Sequence, residues 1–351
     1  MASLYDLDRQ YFSQLLKDHP TYRVEQIWKG LYNQGLQLQD ITDLPKTFRQ
    51  ELALVEDLQP GLALLAEKIG DKGKTIKWLW SLKDHRQIET VLMLYPKRAT
   101  VCISSQAGCA MGCTFCATGQ GGFERQLTKG EILEQVIYAI RTAKQLNSKL
   151  TNIVFMGMGE PLANYASVWK AIRIINQEIG LAARHITVST VGIVPGIRKM
   201  TQENLQVNLA LSLHCANNES RNKIIPIGLR YPIEDIFNAL LEYVQKTHRR
   251  VSIEWALMDN INDSYKDASE LADFANPLDA HVNLIPLNPT PNWPTRGSNT
   301  HKVKQFQSFL SSLGVNATIR HNRGTDISAA CGQLAAENTS SKGLIKIQSL
   351  K

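Results

Sequence analysis

The spacing of apolar residues changes period along the chain. Over the first sixty residues it is helical. In the stretch from Tyr22 to Gly35, Val24, Ile27, Trp28 and Leu31 fall on one helical face, and Gly35 supplies a stop. A second helix starts at Leu44, with Pro45 in its first turn. Between residues 62 and 105 the period drops to two. Lys74–Ser81 and Gln87–Tyr95 alternate and are rich in β-formers, which predicts strands of a small antiparallel sheet. From Ala99 onward, short apolar runs alternate with longer amphipathic ones. The predicted strands are Thr100–Ser105, Asn152–Met156, His185–Thr190, Gln206–Leu213, Val251–Leu257, Ala280–Ile285 and Asn316–Arg320. The predicted helices are Thr128–Asn147, Tyr165–Glu178, Ile233–Lys246, Tyr265–Phe274 and His301–Leu313. Thr128 and Glu131 make a capping box at the start of the first of these.

Such alternation implies a parallel sheet, curved or closed, with function at the carboxyl ends of its strands. The expected fold is α/β: a partial (β/α)6 barrel with a small N-terminal helical domain and a short antiparallel β extension. The expected divisions are 1–60 (helical accessory domain), 61–98 (β extension), 99–337 (barrel) and 338–351 (flexible tail).

Composition narrows the class. The chain has 351 residues, 43% of them hydrophobic, which suits one large α/β domain with a small attachment. A net charge of +7 and a pI near 9.0 suit a polyanionic partner without requiring one. No apolar run reaches membrane-spanning length and the start lacks a signal-peptide pattern, so a cytoplasmic protein off the membrane is expected, with its six cysteines reduced or ligated.

The chemistry centres on Cys109-Ala-Met-Gly-Cys113-Thr-Phe-Cys116. Three soft thiolate donors in eight residues suit iron–sulfur or zinc, and they are one ligand short for either. A four-iron cluster held by three thiolates leaves one iron open to a small molecule, whereas electron-transfer clusters are capped by four. Zinc would take a fourth donor such as His214 or Cys102. Phe155-Met-Gly-Met-Gly-Glu-Pro161 follows a predicted strand. Gly157 and Gly159 let the backbone approach a ligand there, and Glu160 offers an acceptor for an ammonium group. Ser189, Ser212-Leu213-His214 and Asn288 lie at or just beyond strand ends, where small polar groups suit adenine, ribose or carboxylate. Glu89 lies inside a predicted strand and reads as an exposed partner of a cross-strand lysine. Cys215 reads as a buried small hydrophobe, and so would Cys331 but for its setting, Ala329-Ala-Cys331-Gly-Gln-Leu334.

The Cys-x3-Cys-x2-Cys spacing, with an aromatic before the last cysteine, resembles the signature of the radical S-adenosylmethionine enzymes. Six ordered blocks sharpen this: Cys102–Cys109, the cysteine cluster, Gly157–Pro161, Ser212–His214, Asn283–Asn288 and Ala329–Leu334. Together they resemble the bacterial dual-specificity RNA adenine methyltransferases over nearly the whole chain. Relatives that methylate carbon 8 share most of these blocks, and Glu160-Pro161 with Asn322-Arg323-Gly324 look more like the carbon 2 enzymes. Arg125-Gln126 departs from the usual Arg-Asn.

The resemblance implies methylation of carbon 2 of one adenine in 23S ribosomal RNA and of adenine 37 in transfer RNAs. It implies a [4Fe–4S] cluster on Cys109, Cys113 and Cys116. S-adenosylmethionine would be held by Gly159, Glu160, Ser189, Ser212, Leu213, His214 and Asn288. Cys331 would take a methyl from one S-adenosylmethionine and lose a hydrogen to a radical made from a second. The resulting methylene radical would add to the adenine, and Cys102 would release the product by forming a disulfide with Cys331. Glu89 or Cys102 would accept the carbon 2 proton. A flavodoxin- or ferredoxin-type electron donor and a monomeric protein complete the expectation. Arg98, Arg184, Lys223, Arg249, Arg250, Arg320 and Arg323, with Lys17, Arg23, Lys29, Lys46 and Arg49 of the N-terminal helices, are candidate RNA contacts.

Overall fold

The computed structural model describes residues 3–290 and 293–335; the tail expected at 338–351 lies outside the described residues. Strands β1 (Leu62–Gly70), β2 (Thr75–Leu82), β3 (Gln87–Tyr95) and β4 (Arg98–Cys102) pair antiparallel in chain order. A separate hairpin of β5 (Gln106–Gly108) and β6 (Phe123–Gln126) follows. The sheet then continues from β4 in parallel register through β7 (Leu150–Phe155), β8 (Ile186–Thr190), β9 (Asn208–Ser212), β10 (Ser252–Leu257), β11 (His281–Pro286) and β12 (Ala317–Ile319). The β extension is therefore one sheet with the barrel. All seven strands expected from Ala99 onward are present, one more than the six that a (β/α)6 barrel counts.

Period-two patterning sets the two faces of this sheet. On β10, Ile253, Trp255 and Leu257 are fully buried in the apolar core, while Ser252, Glu254 and Ala256 face the concave side. Thr187 and Ser189 of β8, Asn208 and Ser212 of β9, and Asn283 and Ile285 of β11 line the same concavity. The sheet thus curls around a polar lumen, with helices outside.

β12 does not pair with β1, so backbone hydrogen bonds do not close the barrel. Residues 320–335 bridge the gap instead. Gly324 N–H donates to Asp71 (2.8 Å), Asp71 N–H to Asp326 (3.0 Å), Arg323 to the Leu94 carbonyl (3.3 Å), Lys77 to the Ser328 carbonyl (3.0 Å) and Ala335 N–H to Glu89 (3.1 Å).

Near the N-terminus, Val24, Ile27, Trp28 and Leu31 are buried, and the helix Tyr22–Trp28 runs on as a π turn to Asn33 before Gly35. These side chains share one apolar core with the barrel. Glu134, inside the helix Lys129–Gln145, accepts from Ser3 Oγ (2.8 Å), Gly61 N–H (2.8 Å) and Leu62 N–H (3.2 Å), which fastens the N-terminal segment to the barrel. Arg23 and Arg49, expected to face RNA, donate to carbonyls of Asp43 and Gln39 and so brace the helices. Lys17, Lys29 and Lys46 are exposed. Two further helices, Val194–Thr201 and Asn218–Ile224, were not anticipated. The first carries Pro195 in its opening turn, where the missing N–H costs nothing.

Candidate active site

The three clustered cysteines occupy the long connection of the β5–β6 hairpin. Gly108, at φ +69°, turns the chain into it, and Cys109 N–H donates to the Gly122 carbonyl (2.7 Å). Cys113 packs with Met111, Phe115, Cys215, Ile224, Ile225, Ala256 and Met258 in an apolar cluster of its own. Gly119 lies against Cys113, where a Cβ would stand 2.8 Å from the Cys113 carbonyl oxygen and 2.9 Å from its nitrogen. Burial pushes the Cys109 thiol up to about 12 and the Cys113 thiol well above its ordinary value, and each is raised further by charge on neighbouring thiols of the trio. Such crowding is unfavourable for bare thiolates and is reversed by a shared cationic core. Three sulfur donors on one short loop that borders a pocket fit an iron–sulfur cluster by their chemistry. Among the described residues, no three His, Cys, Asp or Glu side chains are grouped to hold a single metal ion. His214 Nδ1 is engaged by the Ala256 N–H (2.9 Å), which removes it as a zinc ligand through that atom.

Beside the cysteines lies a pocket lined at the carboxyl ends of β7 to β11. Cys113, Cys116, Gly159, Glu160, Ser189, Ser212, His214, Asn288 and Cys331 all border it. Glu160 is buried. Its carboxylate accepts from Leu162 N–H (3.0 Å) and Val191 N–H (2.9 Å), yet burial still pushes its pKa up to about 7. An ammonium group brought against it would restore the charged form. Ser189 Oγ and Ser212 Oγ are 3.3 Å apart. Burial, reinforced by the charge of Arg221, holds His214 down at about 3; it is neutral, and with Nδ1 accepting, Nε2 carries the proton. Asn288 donates to the Cys331 carbonyl (3.1 Å) and accepts from Asn322 (2.7 Å).

Two sequence expectations need adjusting. Gly157 and Gly159 do border the pocket, but a Cβ on either would strike protein. At Gly157 it would lie 2.6 Å from the Ile103 oxygen, and at Gly159 2.8 Å from the Gln106 nitrogen. These glycines let one loop lie on another. Leu213 does not line the pocket. Its side chain is fully buried in the core, and its carbonyl accepts from Cys215 N–H (2.8 Å) and Arg221 Nε (3.2 Å).

The bridging segment brings Cys331 to the pocket. It is tied to the cysteine loop by Ala117 N–H to the Gly332 carbonyl (2.8 Å) and Thr118 Oγ1 to the Leu334 carbonyl (2.5 Å). Cys102 is buried at the end of β4, and both cysteines are free thiols. Burial pushes Cys102 up to about 12, and charge on Cys331 would raise it further. Cys331 is an exposed residue whose thiol is nevertheless raised by partial desolvation from the surrounding protein, while Arg320 favours the thiolate at both. Glu89 is not exposed. It is buried on β3, paired with Lys77 of β2, and does not line the pocket.

Below the pocket the lumen widens into a polar cavity bordered by Arg184, Arg249, Arg250 and Arg320. Arg98 and Arg323 stack on Tyr95, at 4.5 and 4.4 Å from its ring centre, and Lys223 pairs with Glu219. Glu254 borders both cavities and was missed from sequence. It accepts from Asn283 (2.9 Å) and Arg320 (3.2 Å), and its signal was an acid at an inward-facing register of an apolar strand.

Residues 103–274 match the family model of the radical SAM superfamily. The chain is 47% identical over 336 residues to a probable dual-specificity RNA methyltransferase RlmN of Parafrankia, covering 91% of this chain and 87% of the relative. It is 43% identical to a ribosomal RNA large subunit methyltransferase N of Nitrosopumilus maritimus, covering 96% and 99%. The crystal structure of a radical SAM methyltransferase from Sphaerobacter thermophilus superposes with a TM-score of 0.91 at 46% identity, covering 96% of this chain and 100% of that one.

Proposed function

The chain belongs to the RlmN family of radical SAM methyltransferases, and we propose that it methylates carbon 2 of an adenine in 23S ribosomal RNA and of adenine 37 in transfer RNAs. The observation that carries this reading is the meeting of Cys331, far downstream in sequence, with Cys113, Cys116 and Glu160 around one pocket. Carbon 2 of adenine has no nucleophilic lone pair, so transfer of a methyl cation cannot serve it. Cys109, Cys113 and Cys116 would hold a [4Fe–4S] cluster, which with S-adenosylmethionine would supply the one-electron chemistry that makes a carbon radical.

The chain's own residues do the rest. Glu160 receives the ammonium of S-adenosylmethionine, and Ser189, Ser212 and Asn288 offer small polar groups for its remainder. His214 presents an Nε2–H donor at the pocket wall. Cys331 carries the one-carbon unit, and Arg320 favours the thiolate that accepts it. Cys102, as thiolate, attacks the Cys331 sulfur; the disulfide forms as the bond from that sulfur to the transferred carbon breaks, the carbon takes a proton and leaves as the methyl of the base, and an external thiol reductant returns the disulfide to two thiols. Proton removal from carbon 2 falls to Glu89 or Cys102. Glu89 meets Lys77 and Ala335 N–H, so a shift of the bridging segment is needed before it reaches a substrate.

RNA entry is supported by the four arginines around the lumen and by the exposed lysines of the N-terminal helices. An adenine in a loop is the fitting target, because extrusion costs least there. The relatives carry the dual-specificity name, so the carbon 8 alternative is not retained. No helix among the described residues is long and apolar enough to cross a membrane. A cytoplasmic monomer reduced by a flavodoxin- or ferredoxin-type donor completes the proposal. The test is anaerobic reconstitution with iron, sulfide, S-adenosylmethionine, reductant and each RNA, followed by nucleoside mass spectrometry. Methyl on carbon 2 is expected. Methyl on carbon 8, or none with an intact cluster, overturns the assignment.

A further inference from the structure

Arg221 is fully buried, and among the described residues no carboxylate lies within ion-pair distance of it. It sits in the helix Asn218–Ile224, behind the cysteine loop. Nε donates to the Leu213 carbonyl (3.2 Å) and Nη2 to the Val191 carbonyl (2.6 Å), while Nη1 is buried with no partner. A guanidinium is charged at any working pH, and proteins rarely bury one without an anion, since desolvation costs several kcal/mol. Two carbonyls supply dipoles but no countercharge.

The missing anion can be located. The anion-forming groups packed against this helix are the thiols of Cys113 and Cys215: both share one buried cluster with Ile224 and Ile225, and Ile224 lies three residues beyond Arg221 on the same helix. Cys113 is one of the three cluster cysteines. The rest of the helix is anchored on the same loop. Thr114 N–H donates to the Ile224 carbonyl (3.0 Å), and Ile224 and Ile225 pack in one apolar cluster with Met111, Cys113 and Phe115. The guanidinium is therefore fixed in a dry site against the cysteine loop, with one N–H pair unspent. An electrostatic interaction there is screened far less than at the surface.

We infer that Arg221 is the built-in counter-ion of the metal centre: a fixed positive charge beside Cys113 that offsets the negative charge of the thiolate-bound cluster and holds its reduction potential up. The inference rests on the proposed cluster. A cluster on three thiolates gains a further negative charge on reduction. A cation fixed nearby stabilises the reduced state more than the oxidised one, and charge near the cluster is among the terms that set its potential. Arg221 is thus a tuning residue, and nothing requires it to touch the substrate.

The experiment uses the full chain, reconstituted anaerobically, as wild type, Arg221→Gln and Arg221→Lys. Iron content is measured first, then the midpoint potential by redox titration followed by electron paramagnetic resonance. Removing the charge in Arg221→Gln should lower the midpoint potential, and Arg221→Lys, which keeps the charge but not the fork, should stay near wild type. If Arg221→Gln binds no iron while Arg221→Lys does, the charge requirement stands. The inference is overturned if Arg221→Gln carries full iron at the wild-type potential. It is equally overturned if Gln and Lys variants lose iron alike, or shift alike, because the effect then follows the carbonyl bonds and not the charge. Wild type that binds no iron overturns the cluster assignment itself, a result distinct from any difference among the variants.

Discussion

Lys77 Nζ lies 2.8 Å from Glu89 Oε1 across adjacent strands, with side-chain exposures of 5% and 4%. The residues are diagonal in register, since Lys77 faces Val91 and Glu89 faces Leu79. Each also holds the bridging segment, Lys77 through the Ser328 carbonyl and Glu89 through Ala335 N–H. The pair therefore couples the β extension to the segment that carries Cys331.

Breaking this pair from one side leaves a buried charge uncompensated. Lys77→Met should destabilise the protein by about 3–5 kcal/mol. The paired replacement Lys77→Met with Glu89→Gln should recover much of that loss. Denaturant unfolding of the two variants decides it, and equal losses would show the pair to be uncoupled.

Gly159 has φ +93°, and a Cβ there would lie 2.8 Å from the Gln106 nitrogen. Gly159→Ala should cost about 2 kcal/mol or more, from backbone strain and overpacking together. Because the displaced loop carries Glu160, binding of S-adenosylmethionine should weaken as well. Thermal melts and isothermal titration check the two effects separately.

Glu160 is held up at about 7 by burial, above its ordinary 4.5. The folded state therefore binds this proton more tightly than the unfolded chain. Its contribution to stability is full below the unfolded value and is lost as pH rises to about 7. Ligand-free Glu160→Gln should lose less stability than wild type between pH 5 and about 7.5. Glu134, also raised to about 7, remains in both proteins and contributes the same slope to each. Affinity for S-adenosylmethionine should rise with pH through this window in wild type and stay flat in Glu160→Gln. A pH-independent wild-type affinity would remove Glu160 as the ammonium acceptor.

Cys102→Ala should methylate Cys331, attack the adenine and stall, accumulating protein covalently joined to RNA. Cys331→Ala should bind the cluster and form no adduct. A denaturing gel with labelled RNA, before and after nuclease, reads both outcomes. Normal turnover by Cys102→Ala would take Cys102 out of the mechanism.

Local pattern was enough wherever burial follows period. All seven barrel strands predicted from Ala99 onward form, with no end displaced by more than three residues, because inward polar and outward apolar positions alternate as the sheet requires. The helix Asn218–Ile224 escaped because its buried face consists of Arg221 and Ile224, and a charged residue gives no apolar stripe. Glu89 was misread for a related reason. An acid on a strand reads as solvent-facing unless something covers it, and the cover, residues 328–335, comes from more than two hundred positions away.

The sequence by itself determined the donor chemistry and the family: cysteine spacing fixes which atoms can bind metal together, and neighbouring residues on one loop cannot drift far apart. It also determined which strand ends carry small polar groups. Tertiary structure alone decided which of these groups share a pocket. It set Cys331 beside the cysteine loop through backbone bonds at Gly332 and Leu334, excluded the Leu213 side chain, and turned Gly159 toward Gln106. It also buried Arg221 with no carboxylate within ion-pair distance among the described residues. The reason is that burial and proximity are properties of the packed chain. A charge written in the sequence reveals neither the dielectric it will meet nor the partner it will lack until every covering segment is in position.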